Sequence, residues 1–114
     1  MTREFIRLPE FEKQCKHMNL NENDVMAIEI ALLDNPSIGA VIRGTGGIRK
    51  CRFPLPNTGK SGGARAIYVD FAYYEKIYLV TAYNKSEVED LTQAERNELK
   101  KLTDKLLSEL KRKG

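Results

Sequence analysis

Gly47-Ile48-Arg49-Lys50-Cys51-Arg52-Phe53-Pro54-Leu55 is the stretch at which the chain changes character. Upstream, apolar residues recur at helical spacing. From Gly47 onward they alternate, and β-branched and aromatic types become frequent, which is the pattern of a pleated strand with two different faces. Alternation sets Ile48, Lys50 and Arg52 on one face and Arg49, Cys51 and Phe53 on the other. Ala64-Arg65-Ala66-Ile67-Tyr68-Val69-Asp70-Phe71 and Ile77-Tyr78-Leu79-Val80-Thr81-Ala82-Tyr83 read the same way. Three consecutive strands, over 48–55, 64–71 and 77–83, are therefore predicted. The connection from Pro56 to Gly63 is longer than a tight hairpin and rich in glycine, so it has the reach to touch a ligand.

Working back from Gly47, Phe5 to Leu8 is a short strand candidate, and Pro9 suits the first turn of a helix running to about His17. A second helix is capped by Asn21 or Asn23, carries Val25, Ile28 and Leu32 on one face, and ends before Pro36. Toward the C-terminus, Thr92-Gln93-Ala94-Glu95 spells a capping box. Leu99, Leu102, Leu106 and Leu110 follow as an apolar stripe. Lys111, Arg112 and Lys113 close that helix where its dipole favours cations, so they are read as structural rather than as a binding site. The expected fold class is α+β, a small antiparallel-rich sheet packed against an N-terminal helical hairpin and a C-terminal helix.

A length of 114 residues, 41% apolar and 31% charged, suits one globular domain spanning 1–114. The apolar stretches fall well short of the roughly 20 residues that cross a bilayer, and the N-terminus does not open as a signal peptide. A cytoplasmic protein is expected, with Cys15 and Cys51 as reduced thiols. The net charge of +3 becomes informative when mapped along the chain. No Asp or Glu occurs from Asn35 to Val69, whereas Arg43, Arg49, Lys50, Arg52, Lys60 and Arg65 all fall there. Such a run is either a polyanion-binding surface or a solvated face.

Several motifs fail on their own chemistry. Gly59-Lys60-Ser61 lacks the earlier glycine of a phosphate-binding loop, because Pro54 occupies that position. Gly44-Thr45-Gly46-Gly47 has Arg49 where the dinucleotide fingerprint needs its third glycine, and a strand follows it. His17, Cys15 and Cys51 do not make up a zinc set, and the basic interval has no clustered carboxylates for a catalytic metal, so no metal and no cofactor are expected. Cys51 lies between Lys50 and Arg52, which would favour a thiolate, but the alternation points it away from them and into the core.

The constellation that remains is cationic. Lys50 and Arg52 share one face of the first strand, and antiparallel pairing brings Arg65 near them. Such crowding is costly by repulsion unless an anion is present. Tyr83 and Lys85 lie at the end of the third strand. If that end faces the cations, they complete a site suited to a phosphodiester; otherwise Tyr83 is an edge aromatic with its hydroxyl in water.

Three blocks, Gly44 to Lys50, Gly59 to Tyr68, and Ile77 to Glu87 with Asp90-Leu91, together resemble the RelE-like HigB toxins of type II toxin-antitoxin systems. The chain departs at Val69, where that family often carries a second tyrosine. The resemblance implies a RelE-like fold, ribosome-dependent cleavage of messenger RNA in the decoding site, and neutralisation by a cognate helix-turn-helix antitoxin similar to HigA. It also implies that Lys50 and Arg52 are the paired basic residues of the catalytic strand and that Arg65 contacts the scissile phosphate. Tyr83 and Lys85 sit where related toxins keep catalytic aromatic and basic groups. Arg43, Arg49 and Lys60 are expected to hold RNA phosphates.

The chemistry implied is attack of a 2′-hydroxyl on its own 3′-phosphate, a metal-free reaction with Arg52 and Arg65 stabilising charge on the phosphate and Lys50 or Lys85 as base. Two alternatives stand beside this reading: a ParE-type toxin on the same scaffold that acts on gyrase, and, from a different class, a non-catalytic RNA-binding module.

Overall fold

In the computed structural model the described residues are 2–54, 63–85 and 90–113. Strand β1 (Glu4–Arg7) leads into helix α1 (Pro9–His17) and helix α2 (Glu22–Asp34). A two-residue strand β2 (Ala40–Val41) precedes β3 (Arg49–Phe53), β4 (Ala64–Phe71) and β5 (Lys76–Asn84), and helix α3 (Gln93–Lys113) closes the chain. A 3-10 turn (Ala72–Tyr74) joins β4 to β5.

The chain folds locally for the reasons visible in its residues. Pro9 opens α1, where its missing N–H is no loss. Asn21, rather than Asn23, caps α2: its side chain accepts from the Asp24 amide while the Asp24 carboxylate accepts from the Asn21 amide. At α3 the Thr92 and Glu95 side chains exchange the same pair of bonds.

The sheet has the order β1-β5-β4-β3-β2. Its three longest strands form an antiparallel meander, as the alternation predicts. β1 adds in parallel to β5, with Phe5 opposite Ile77, so the sheet is mixed. A parallel neighbour requires a crossover, and α1 with α2 supplies it. Ile67 pairs with Thr81 while Tyr68 pairs with Leu79, which leaves Val80 as the extra residue of a bulge in β5.

Each face of the sheet is covered. On one, Phe11, Cys15, Val25, Ile28 and Leu32 of α1 and α2 pack on Ala66, Tyr68, Ile77 and Leu79. On the other, Leu106 of α3, flanked by the half-buried Leu99 and Leu102, packs on Ile48, Ile67, Val69 and Val80. The glycine run rejected as a nucleotide loop is a structural turn. The buried Thr45 hydroxyl donates to the Ile42 carbonyl at 2.7 Å and accepts from the Ile48 amide at 3.1 Å. Gly44, Gly46 and Gly47 all take positive φ around it.

Cys15 and Cys51 are free thiols. Cys15 is buried, and Cys51 is half-buried against the α1–α2 core, the orientation that the alternation assigns to it.

Candidate functional site

The register decides which charged residues meet. Arg52 of β3 lies directly opposite Arg65 of β4, and Arg65 lies directly opposite Tyr83 of β5. Residues opposed in this way stand roughly 5 Å apart at Cβ and share a face. Arg52, Arg65 and Tyr83 therefore form a transverse row across three strands. Lys50, two residues from Arg52, projects from the same face in the next row, opposite Ile67.

Lys50, Arg52 and Arg65 line one cleft of about 490 Å³, whose remaining walls are Ile38, Ala40 and Cys51. The three cations differ in burial. Arg52 is exposed, Lys50 is half-buried, and Arg65 is only 8% exposed, although it carries a full charge. The Nη1 of Arg65 is buried with no hydrogen-bond partner among the described residues. Two other partly buried arginines find carboxylates, Arg3 at Asp70 and Arg7 at both Glu22 and Glu29, while the Nε of Arg96 is likewise buried with no hydrogen-bond partner among the described residues. A buried guanidinium normally requires such a partner, because desolvation removes several kcal/mol that only pairing restores. The unfilled donor of Arg65 thus meets no anion among the described residues.

Tyr83 is half-buried beside Arg65. Burial pushes its phenol above the ordinary value, Arg65 opposes that shift, and the carboxylates of Asp90 and Glu95 reinforce it. The phenol is therefore protonated at neutral pH and available as a donor. Asp90 and Glu95 are residues that the sequence reading does not attach to the site. Glu95 lies in the first turn of α3 and Asp90 just before that helix, 3.8 Å from Arg96.

The other sequence-predicted residues are placed differently. Arg49 projects to the opposite face, and its Nη1 donates to the carbonyls of Gly39 at 2.7 Å and Ser37 at 3.3 Å. Its guanidinium braces the link between α2 and β2. Arg43 is exposed in the turn between β2 and β3, away from the walls of the cleft. Lys85 is exposed in the turn that follows β5, its amide extending the ladder to the Gly63 carbonyl. Lys60, and with it all of the glycine-rich connection except Gly63, lies outside the described residues.

The cleft wall is held by a buried tyrosine. The Tyr68 hydroxyl donates to the Pro36 carbonyl at 2.7 Å and accepts from the Gly39 amide at 3.0 Å. Gly39 has no room for a side chain there, since a Cβ would meet the Lys50 carbonyl at 2.7 Å and the Tyr68 ring at 2.9 Å. Tyr68 is thus a core residue that positions Ile38 and Ala40, not a stacking platform. Among the described residues no three His, Cys, Asp or Glu side chains gather as a metal ion would require.

Comparison with known proteins agrees with this architecture. The family model described as the RelE toxin of the RelE/RelB toxin-antitoxin system matches residues 5–113. Among solved structures, a free-state mutant of the Escherichia coli toxin RelE, with two arginines replaced by alanine, is similar with a TM-score of 0.52 and 17% identity. The match covers 78% of this chain and 90% of that one. At this identity the likeness concerns the fold.

Proposed function

The chain belongs to the RelE toxin family, and from that premise we propose that it is a metal-independent endoribonuclease that cuts messenger RNA in the ribosomal decoding site and so stops translation. The observation that carries this reading is the row Arg52-Arg65-Tyr83 with its buried, unpartnered Arg65 Nη1. Three cations around one cleft, with a neutral phenol beside Arg65, suit a phosphodiester: the cations hold the anionic oxygens and the phenol supplies a proton.

In the reaction proposed, the 2′-oxygen of a nucleotide attacks the adjacent phosphorus and its proton passes to a base, with Lys50 and Lys85 as the candidates. The P–O5′ bond breaks, and the leaving oxygen takes a proton from Tyr83. The products are a 2′,3′-cyclic phosphate and a free 5′-hydroxyl. Arg65 and Arg52 stabilise the charge that builds on the phosphoryl oxygens, and a preorganised donor of this kind is typically worth about 3 to 4 kcal/mol at a transition state. Arg43, Arg49 and Lys60 are assigned to RNA phosphates, with Arg49 the weakest member because its donors already hold backbone carbonyls.

Among the described residues no carboxylate or histidine lines this cleft, so in this reading the reaction relies on the ribosome to orient the nucleophile. Orientation can contribute on the order of 7 to 11 kcal/mol to a barrier. In this reading the protein acts as one domain in the cytoplasm and is neutralised by a helix-turn-helix antitoxin similar to HigA.

The test is brief induced expression in a bacterium, wild type beside Arg65→Ala, followed by primer extension on an abundant translated message and on an untranslated version of it. Cuts confined to the translated message and absent from the mutant are expected. Growth arrest without cuts would redirect the reading to gyrase or another target. Salt-sensitive RNA binding without cuts would leave a binding module.

A further inference from the structure

The cationic cleft adjoins a second cavity at the edge of β3. Ala27, Ala31, Ile38, Phe53 and Pro54 bound a hollow of about 230 Å³ between α2 and β3, and Asp24, in the first turn of α2, also lines it. Ile38, Cys51 and Arg52 are walls of both this hollow and the cleft of Lys50 and Arg65. β2 pairs with β3 only at Arg49 and Lys50, so among the described residues no strand lies outside Cys51, Arg52 and Phe53. Arg52 and Phe53 are consecutive and so belong to opposite faces of the sheet. Arg52 lies with Arg65, and Phe53 lies with the core under α2. A polymer held on one face can therefore turn around this free edge onto the other.

The two cavities differ in chemistry. The cleft gathers cations, whereas the hollow is mostly apolar, with one aromatic ring, Phe53, and one carboxylate, Asp24. Asp24 Oδ2 accepts the Asn21 amide at 2.8 Å in the capping box, and its Oδ1 has no hydrogen-bond donor among the described residues. Ala27 and Ala31 are exposed, so the hollow is open to solvent. An apolar cavity of about 150 Å³ takes a benzene ring. This one has room for a single planar base, and apolar and aromatic walls with a polar group at the base edge are how unpaired bases are held.

We propose that the hollow is a base-recognition pocket: while Arg52 and Arg65 hold an RNA phosphate in the cleft, the adjoining base turns around the edge of β3, lies against Phe53 and donates an amino hydrogen to Asp24. The proposal rests on the ribonuclease reading and extends it to base preference. Continuity chooses the occupant, because the hollow shares three walls with a cleft in which the buried Arg65 Nη1 has no partner among the described residues. The carboxylate chooses the base. An ionised carboxylate only accepts hydrogen bonds, and its pairing with the amino group of cytosine is a known mode of readout. Guanine and adenine carry an amino group as well. Uracil carries none, and its one ring donor lies between two carbonyl oxygens that a carboxylate repels. The pocket thus favours guanine, cytosine and adenine over uracil.

The experiment titrates the full chain, at constant ionic strength, with the 3′,5′-bisphosphates of the four nucleosides and with inorganic pyrophosphate as a probe that has no base. Wild type is compared with Asp24→Asn, whose amide oxygen can still accept the Asn21 amide, and with Ala31→Leu, which fills the hollow from an exposed position. In parallel, cuts on a translated message are mapped by primer extension. Wild type is expected to bind the three amino-bearing bisphosphates about tenfold more tightly than the uridine one. Asp24→Asn should bring uridine level with the others, and cuts beside uracil should appear. Ala31→Leu should weaken all four nucleotides by about tenfold while leaving pyrophosphate unchanged. Equal affinity of wild type for the four bases, or a uniform loss in Asp24→Asn, overturns the proposal; if the cuts persist, the ribonuclease reading stands without it. Should Ala31→Leu spare the nucleotides and instead abolish capture of the antitoxin encoded alongside, or a wild-type dimer in sedimentation equilibrium, the hollow belongs to another protein or a second copy and the proposal falls. A wild type that cuts no message overturns the ribonuclease reading and this proposal together.

Discussion

Arg52 and Arg65 face each other directly across the β3–β4 ladder, two guanidinium groups in one register position with no carboxylate between them among the described residues. Like charges opposed on one face of a sheet are destabilising, and Arg65 adds the cost of burial. Arg65→Gln should therefore stabilise the free protein by about 1 to 2 kcal/mol, while lowering ribosome-dependent cleavage by roughly 10² to 10³. Urea midpoints and single-turnover cleavage read the two effects separately. A lower midpoint would mean that Arg65 braces the sheet and that its charge is not held for a ligand.

The same repulsion predicts stabilisation by anions. Sulfate should occupy the cleft between Arg52 and Arg65, adding about 1 kcal/mol when it stands at roughly five times its dissociation constant. For a domain of this size, that raises the melting temperature by about 4 °C. At constant ionic strength the rise should vanish in Arg65→Gln. A rise of equal size in the variant would assign the effect to general salting and leave the cleft without an anion site.

How much of this arrangement is legible in the residues differs by element. β4 and β5 announce themselves, because burial on both faces fills eight and nine residues with β-branched, aromatic and other apolar types. The meander around Lys50, Arg52 and Arg65 follows from it, although only the register shows that Arg52 meets Arg65 and Arg65 meets Tyr83. β2 is not legible, since two residues carry no period; it exists because Arg49 and Tyr68 bind the carbonyls and amide of the link at 36–39. The parallel docking of β1 depends on the crossover of α1 and α2, which no local pattern encodes. The approach of Asp90 and Glu95 to Tyr83 is likewise set by where α3 packs, so a run that reads as free of carboxylates acquires two near its edge.

Tyr83 supplies a test that does not depend on turnover. Its phenol is held above the ordinary tyrosine value, chiefly by burial. The ultraviolet difference titration between wild type and Tyr83→Phe should therefore show one tyrosinate forming above pH ~10. Because the fold favours the protonated form, the associated stability is intact below that range and lost as pH rises through it. If the neutral phenol donates to the leaving oxygen, Tyr83→Phe should slow single-turnover cleavage by about 10²-fold. Full activity in the variant would remove Tyr83 from the chemistry.

Tyr68 tests the cleft wall. Removing its hydroxyl leaves the Gly39 amide and the Pro36 carbonyl without their buried partner, which costs about 1 to 3 kcal/mol. Tyr68→Phe should lose that much stability by urea titration. It should also increase hydrogen exchange at Gly39 and Ala40 more than in α3, since the link that forms the wall is released while the far face is untouched. Uniform exchange over the whole sheet would show that the bond supports the core at large.

Cys15 makes one contribution to stability that alkali removes. Burial against α2 and the sheet pushes its thiol from its ordinary value near 9 to about 11. A raised value means that the folded state holds the proton more tightly than the unfolded one. The stability it contributes is complete below pH 9 and declines as pH rises toward 11. With each pKa unit worth about 1.4 kcal/mol, the loss across that window is about 2 to 3 kcal/mol. Cys15→Ala should start lower, for want of a buried sulfur, yet lose less between the same two pH values in parallel urea titrations. An identical decline in variant and wild type would trace the alkaline loss to other groups, with the tyrosines next to be examined.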